Sequence, residues 1–563
     1  MKAITTYKSV LFLVYLCLTL ISNAQQYPGY TLYTIKGNTN ALLIDTNGTT
    51  YHTWNDATSK KSGYSCYMMP GGYLWRGIAK TGTSFIGGPI CGEVQKLDYS
   101  GNVVWDYVYS TTTYCTHHDI YPMPNGNVLL IAYESKSSTE VAAAGCTAFS
   151  GTMWPDKIVE VQPTGANTGT VVWEWHEWDH LVQNTNSSAA NYQTSIVNHP
   201  ELLNINYNST KDWSHMNGVC YNPILDQITF SCHNLNEVYV IDHSTTLAEA
   251  ASHSGGNSGK GGDILYRWGN PASYGASGTQ IFNVVHDAHW IPEGSPNAGY
   301  LVGYNNNMTT NTSSVDMFAP PIVGYNYSIA IGSAYLPSIY YKRQLSGGYN
   351  SNEGGSHQLP NGNTLLSMGI SGYLKEFDLN GNLLWSKTLT GVAAKTFRYS
   401  DCYINNAAPP IPSITEMTGE LTSSLATTYQ WYLNGQQISG ETNQSYTPTQ
   451  SGIYLVRITD INGCVYQYSA GYNFSFTTRI DDILQNTYFR IYPNPTNGLV
   501  NIEDTYLSGK RFDIYVSDAI GRVIIKNKNL YQLNLSEFEN GIYYITIKPE
   551  NAKTIYTKII LSK

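Results

Sequence analysis

One phrase recurs along most of the chain: a short apolar strand carrying Asp, a polar turn with Gly, then two β-formers leading into an aromatic ring. It reads LLIDTNGTTYHTW up to Trp54, VQKLDYSGNVVW up to Trp105, IVEVQPTGANTGTVVW up to Trp173 and LKEFDLNGNLLW up to Trp385. Two looser copies are VYVIDHSTT with ILYRW at Trp268 and a degenerate one near Tyr340 and Tyr341. A second hairpin phrase precedes several of them: YMMPGGYLW, YPMPNGNVLL, HWIPEGSPNAGYLV, HQLPNGNTLL. Asn-Gly and similar pairs between alternating runs are hairpin turns, so each unit supplies about four strands. Six such units predict a six-bladed β-propeller over residues 25–405, whose blades surround a central channel. A sandwich array and a seven-bladed ring are the competing readings.

Charged residues make up only 13% of the 563, about half the usual ~25%, which excludes a coiled coil or a helical repeat array. The net charge of −9 comes without a Lys/Arg block, so no nucleic-acid or anionic-lipid partner is expected. Lys2 and Lys8 precede an apolar run over 10–21 and then Ser22-Asn23-Ala24. Residues 1–24 therefore read as a cleaved secretory signal peptide, too short for the ~20 apolar residues of a membrane span; no transmembrane segment is expected after cleavage. Cys17 leaves with the signal, and eight cysteines enter an oxidising compartment with no deducible pairing and no CxxC pair.

Two smaller modules follow the repeats. After the hinge 408–412, residues 409–475 alternate like an immunoglobulin-like β-sandwich anchored on Trp431, and 486–563 predict a small C-terminal β-sandwich. The whole chain is thus all-β. Tyr492-Pro493-Asn494-Pro495, Asn497-Gly498, the phrase DAIGRVI and the final strand 558–563 resemble the C-terminal sorting domain of the type IX secretion pathway of Bacteroidetes. That resemblance implies passage through the type IX machinery across the outer membrane, then release or attachment at the cell surface.

Several of the 13 histidines occupy equivalent places in different repeats. His118 lies six residues before Pro124 and His286 six before Pro292, with Asp119 and Asp287 matching; His357 lies three before Pro360, as His289 does before Pro292. His215 precedes a looser turn. Period-two alternation along innermost strands would send one parity into the channel, so His118, His215 and His286 are expected to converge. The same parity turns one of His117 and His118 away, and the shared turn offset selects His118. Converging imidazoles suit a metal site or nucleophilic and acid–base catalysis; singly, each merely fills a hydrogen-bonding role in its own blade. His176, His180 and His289, beside Trp residues, read as structural, with His180 and Asp179 closing a long loop.

The phrases LLIDTNGTTYHTW, HHDIYPMPNGN, VVWEWHEWDHLVQ, DWSHMNGVCYNPILDQITFSCHNLNEVYVID and NVVHDAHWIP, in that order over residues 30 to 390, look like the bacterial arylsulfate sulfotransferases. The resemblance implies a six-bladed propeller that transfers a sulfuryl group from a phenolic sulfate ester to a phenol, with no nucleotide donor and no cofactor, through a transiently sulfated histidine. His286 then corresponds to the sulfated residue, His118 and His215 to catalytic channel histidines, and Asn217 to a substrate-binding asparagine; His357 is grouped with the substrate-binding residues. No metal is required. The family's arginine, 18 residues after the DWSH histidine, is replaced here by His233, an imidazole without guanidinium's fixed fork and permanent charge. A silent surface-binding propeller or adhesin, and a metal-dependent hydrolase using the channel histidines, are the alternatives.

Overall fold

The computed structural model describes residues 25–55, 58–345, 347–476, 489–504, 511–550 and 554–563, and the expected signal peptide lies outside them. They form two compact units, one ending at Asn473 and one beginning at Phe474. The first contains six four-stranded antiparallel sheets. In the second blade the order from the axis outward is Ser62–Met69, Tyr73–Ala79, Gly92–Leu97, Val103–Val108, and in the third it is Tyr114–Pro122, Val128–Glu134, Asp156–Gly165, Thr168–His176. The fourth, fifth and sixth blades open on the inner strands Met216–Asn222, Val285–Trp290 and Gly355–Gln358. The first blade takes its inner strand, Thr396–Tyr399, from the far end of the ring and pairs it with Tyr30–Thr34.

The repeated phrase therefore spans the third and fourth strands of each blade. Trp54, Trp105, Trp173, Trp268 and Trp385 all sit on outermost strands, and the Asp of the phrase closes the intervening turn. Asp45 Oδ1 accepts from the backbone N–H groups of Asn47 and Thr49, and Asp378 Oδ1 from those of Asn380 and Asn382, the local bonding that makes Asp a turn former. Apolar faces of neighbouring blades supply the core, as where Leu129, Ile131 and Ile158 of the third blade meet Val219, Ile228 and Phe230 of the fourth. Each such side chain contributes about 1.5–3 kcal/mol when fully buried.

A sandwich follows in the same unit, with sheets Ile414–Met417, Glu420–Ser423, Ser445–Tyr446 and Gln436–Gln437, Tyr429–Leu433, Gly452–Thr459, Tyr466–Tyr468. Trp431 is its buried anchor. Cys402, just past the closing strand, is disulfide-bonded to Cys464 of the sandwich, whereas the six other described cysteines are free and buried. Glu293 of the propeller accepts from the Tyr432 and Tyr468 hydroxyls and from Arg457.

The second unit is a two-sheet sandwich cored by Val500, Ile514, Val516, Ile545, Ile547 and Ile559. In it Asn494 of the Tyr-Pro-Asn-Pro element accepts from the Ile560 N–H and donates to the Lys558 carbonyl, pinning the last strand. No helix among the described residues is long and apolar enough to cross a membrane.

Candidate active site

The inner strands of the third, fourth and fifth blades do not alternate cleanly. Thr116 pairs with Ala132 and Ile120 with Leu130, so residues 117–119 stand opposite Ile131 alone. Met216 pairs with Cys232 and Gly218 with Ser231, leaving Asn217 extra; His286 pairs with Tyr304 and His289 with Val302, leaving 287 and 288 against Gly303. These bulges re-aim side chains, and they are strained: His118, His215 and Asp287 hold φ of 48°, 54° and 58°, a left-handed conformation that costs a non-glycine residue about 1–2 kcal/mol. The expectation that parity turns His117 or His118 away is thereby corrected. Both rings enter one network, their Nδ1 atoms 2.7 Å apart.

Four imidazoles form a chain across the hub. Ring centroids are 4.6 Å apart for His118 and His215, 5.1 Å for His215 and His233, and 5.5 Å for His233 and His286. Each is anchored through Nδ1. His286 Nδ1 lies 2.7 Å from Asn306 Oδ1, His233 Nδ1 2.8 Å from Asn234 Oδ1, and His215 Nδ1 2.8 Å from Asp212 Oδ2. His118 is held by His117, whose Nε2–H donates to Asp156 at 2.7 Å, leaving the Nδ1 of His117 to accept. The anchors are themselves held. Asp156 also accepts from Ser214 Oγ and the Met216 N–H, and Asn306 donates to the carbonyls of Asn350 and Glu353. In His118, His215, His233 and His286, Nε2 is therefore the nitrogen left without a hydrogen-bond partner among the described residues. Among the described residues no three of these imidazoles bring ligand nitrogens within 4.8 Å of one another, a spacing too open for one shared ion.

Burial sets the protonation. His118 and His286 are each 1% exposed, and desolvation, with neighbouring imidazoles adding to it, holds both well below the usual histidine range. His233 is lowered for the same reasons, burial first and His215 second. Burial alone would raise Asp212, but its bond to His215 keeps the carboxyl below its ordinary range. Residues 87–89 close over this group: a Cβ on Gly88 would lie 2.3 Å from His215 Cε1 and 2.7 Å from His118 Cε1, so only glycine fits there.

Following the inner strands onward, imidazole gives way to carboxylate and then to aromatic rings. Asp119 and Asp287 both bind the Lys395 ammonium. Burial would lower that lysine, yet the two carboxylates hold it above its ordinary value. Beyond this plug lies a cavity of about 300 Å³ lined by Tyr67, Tyr121, Trp290, His289, His357 and Phe397. His357 lies here, apart from the four hub imidazoles, together with His289, whose turn offset it shares. Its Nδ1 accepts from the Arg398 N–H, and burial pushes it down to about 3. Asn217 is fully buried, its Nδ2 donating to Val285 O and its Oδ1 accepting from Ser231 Oγ, so it ties the fourth blade to the fifth. Asn306 carried no sequence signal because it reaches His286 from the neighbouring strand, whereas Asp212 stands in the same DWSH phrase as the histidine it anchors; Asp287 serves Lys395.

A family model described as arylsulfotransferase (ASST) matches residues 14–332, and one described as secretion system C-terminal sorting domain matches residues 490–562. No curated protein matches the chain. Among solved structures it is similar to a protein of unknown function from Bacteroides caccae (10% identity, 66% of this chain and 98% of that one, TM-score 0.38). It is also similar to a virginiamycin B lyase from Staphylococcus aureus crystallised with quinupristin (10% identity, 72% and 93%, TM-score 0.28). These likenesses are too low to bear on function. The sorting domain marks the protein for secretion or attachment at the cell surface by the type IX machinery. With its own model spanning more than half of the chain, this protein belongs to the arylsulfotransferase (ASST) family.

Proposed function

We propose that the protein moves a sulfuryl group from a phenolic sulfate ester to a phenolic acceptor through a sulfated His286. The observation that supports this reading is the neutral, enclosed imidazole of His286, anchored at Nδ1 so that Nε2 presents its lone pair beside three further imidazoles. By analogy with phosphoryl transfer, the reaction asks for positioning and charge stabilisation more than covalent help. As His286 Nε2 bonds to sulfur, the S–O bond to the aryl group breaks and the phenolate takes a proton from His215, while His118 packs against that ring. In the second half, an acceptor phenol returns its proton to that imidazole while its oxygen displaces Nε2 from sulfur. Asp212 steadies His215 as the imidazolium, and His233 donates to a sulfuryl oxygen when protonated. Asn217 acts as a positioning residue between the two blades.

Intact-protein mass spectrometry after brief exposure to p-nitrophenyl sulfate tests the proposal. The expected result is a gain of one sulfuryl group on His286, lost again on adding phenol. No gain, together with no turnover of phenolic sulfates, would overturn it. One observation favours a silent binding propeller instead: the hub has His233 where the family has arginine, and the Lys395 ammonium is balanced by two carboxylates. Surface binding unaffected by His286→Ala would support that second reading.

A further inference from the structure

A second group of titratable side chains meets where a long insert of the fourth blade folds back onto the third. His180 follows the single turn Glu177–Asp179, directly after the outer strand of the third blade. It is fully buried and stacked on Trp175, with centroids 5.5 Å apart and planes 6° from parallel. His253 and Asp263 belong to the segment joining the third strand of the fourth blade to its outer strand Tyr266–Trp268. His180 Nδ1 lies 3.1 Å, and His253 Nδ1 2.6 Å, from the same oxygen, Asp263 Oδ1. All three atoms fall within 4.8 Å of one another.

The tautomer makes this arrangement informative. His180 Nε2 lies 2.8 Å from the Ala250 carbonyl oxygen. A carbonyl only accepts, so Nε2 carries a hydrogen, and Nδ1 faces a carboxylate oxygen across either the second hydrogen of an imidazolium or a metal ion. Without either, two acceptors at that distance repel. Tetrahedral coordination with bonds of ~2.0–2.1 Å places ligand atoms about 3.3 Å apart, close to the 3.1 Å of His180 and wider than the 2.6 Å of His253, so the exposed His253 ring opens slightly to admit an ion. A backbone carbonyl on the non-coordinating nitrogen is the usual support of a metal-bound imidazole.

We propose that His180, His253 and Asp263 bind one divalent transition-metal ion, zinc being the best fit, through two Nδ1 atoms and a carboxylate oxygen. Two imidazoles and one carboxylate suit zinc or cobalt better than calcium or magnesium. The His253 side chain is 63% exposed, so the remaining coordination position faces solvent and takes water. The ion pins a costly segment: 251–262 contains five glycines, each losing more backbone freedom on ordering than other residues do. This segment is seated directly on the site. Trp175 Nε1 donates to Gly262 O, and a Cβ on Gly262 would lie 1.9 Å from Ala250 O and 2.6 Å from His180 Nε2.

The test uses the full-length secreted chain, stripped with chelator and titrated with zinc alone, with cobalt as a spectroscopic probe. The expected result is one zinc per chain and a cobalt visible band of low-symmetry type. His253→Ala, at an exposed position, keeps the fold and weakens binding by about ten-fold or more, as does Asp263→Asn. Zinc should also raise Tm and slow proteolysis within 251–262 in the wild type but not in His253→Ala. Zinc binding equal in wild type and His253→Ala would overturn the proposal. So would binding that survives both of those substitutions but is lost in His118→Ala, which would put the ion on the hub.

Discussion

Asn306 fixes the hydrogen of His286. Its Oδ1 lies 2.7 Å from His286 Nδ1, while its Nδ2 donates to two backbone carbonyls, Asn350 and Glu353, so the amide cannot be turned round. Asn306→Ala should lower kcat by roughly 10–100-fold with KM little changed, and Asn306→Asp, which still accepts that N–H, should retain more. A steady-state separation of kcat from KM checks this, and an effect confined to KM would contradict the orienting role.

His233 sits between His215 and His286, and burial keeps it largely neutral. His233→Arg restores a permanent charge to the hub. A charge-assisted donor is worth about 1.5–3 kcal/mol, so aryl sulfate transfer at pH 8 should rise about ten-fold or more. The loss of rate with rising pH should flatten as well. A pH–rate profile of kcat/KM in the two proteins decides it.

Gly88 lies against the rings of His118 and His215. Gly88→Ala should cut transfer by about two orders of magnitude, as small misplacements in a site do, and overpacking against the two rings should lower stability by about 1–3 kcal/mol. Activity near the wild-type level would show that residues 87–89 swing clear during turnover.

Stability should fall as the medium becomes acidic. His118, His286 and His357 are buried with lowered pKa values, His357 at about 3. In the unfolded chain each takes up a proton below about pH 6.5, whereas the folded protein resists it. Between about pH 6.5 and 3 the unfolded state therefore binds more protons and stability rises with pH; above that window these groups contribute no slope. Denaturant midpoints at pH 7.5, 6 and 5 should decrease in that order, and His357→Asn should make the decrease shallower.

The ring was readable because its evidence is repeated: each Asp-turn and each outer-strand Trp recurs along the chain, and the turn offsets of His118 and His286 located the inner strands. Parity failed at His117 because a bulge three residues long breaks the alternation that parity assumes. The anchors were hidden for another reason. Asn306 is 20 residues from His286 and Asp156 is 39 from His117, and neither stands in a phrase that repeats, so only the fold brings them together. His357 shows the limit of offset reasoning, since three residues along an inner strand separate the imidazole group from the cavity beyond Lys395.

Lys395 is fully enclosed between Asp119 and Asp287. Lys395→Met should cost about 3–5 kcal/mol, the usual penalty for leaving buried charges without a partner. Adding Asp119→Asn and Asp287→Asn should recover part of it, and thermal unfolding of the single and triple variants measures both.

The same lysine immediately precedes Thr396–Tyr399, the strand that closes the first blade. A nascent chain that stops short of it holds two opposing anions with no counterion and a bare sheet edge at Tyr30–Thr34. Delivery of the short stretch 395–399 cancels the repulsion and seals the circle together. A copy cut before Lys395 thus loses the counterion of both carboxylates and the partner of the Tyr30–Thr34 edge in one step.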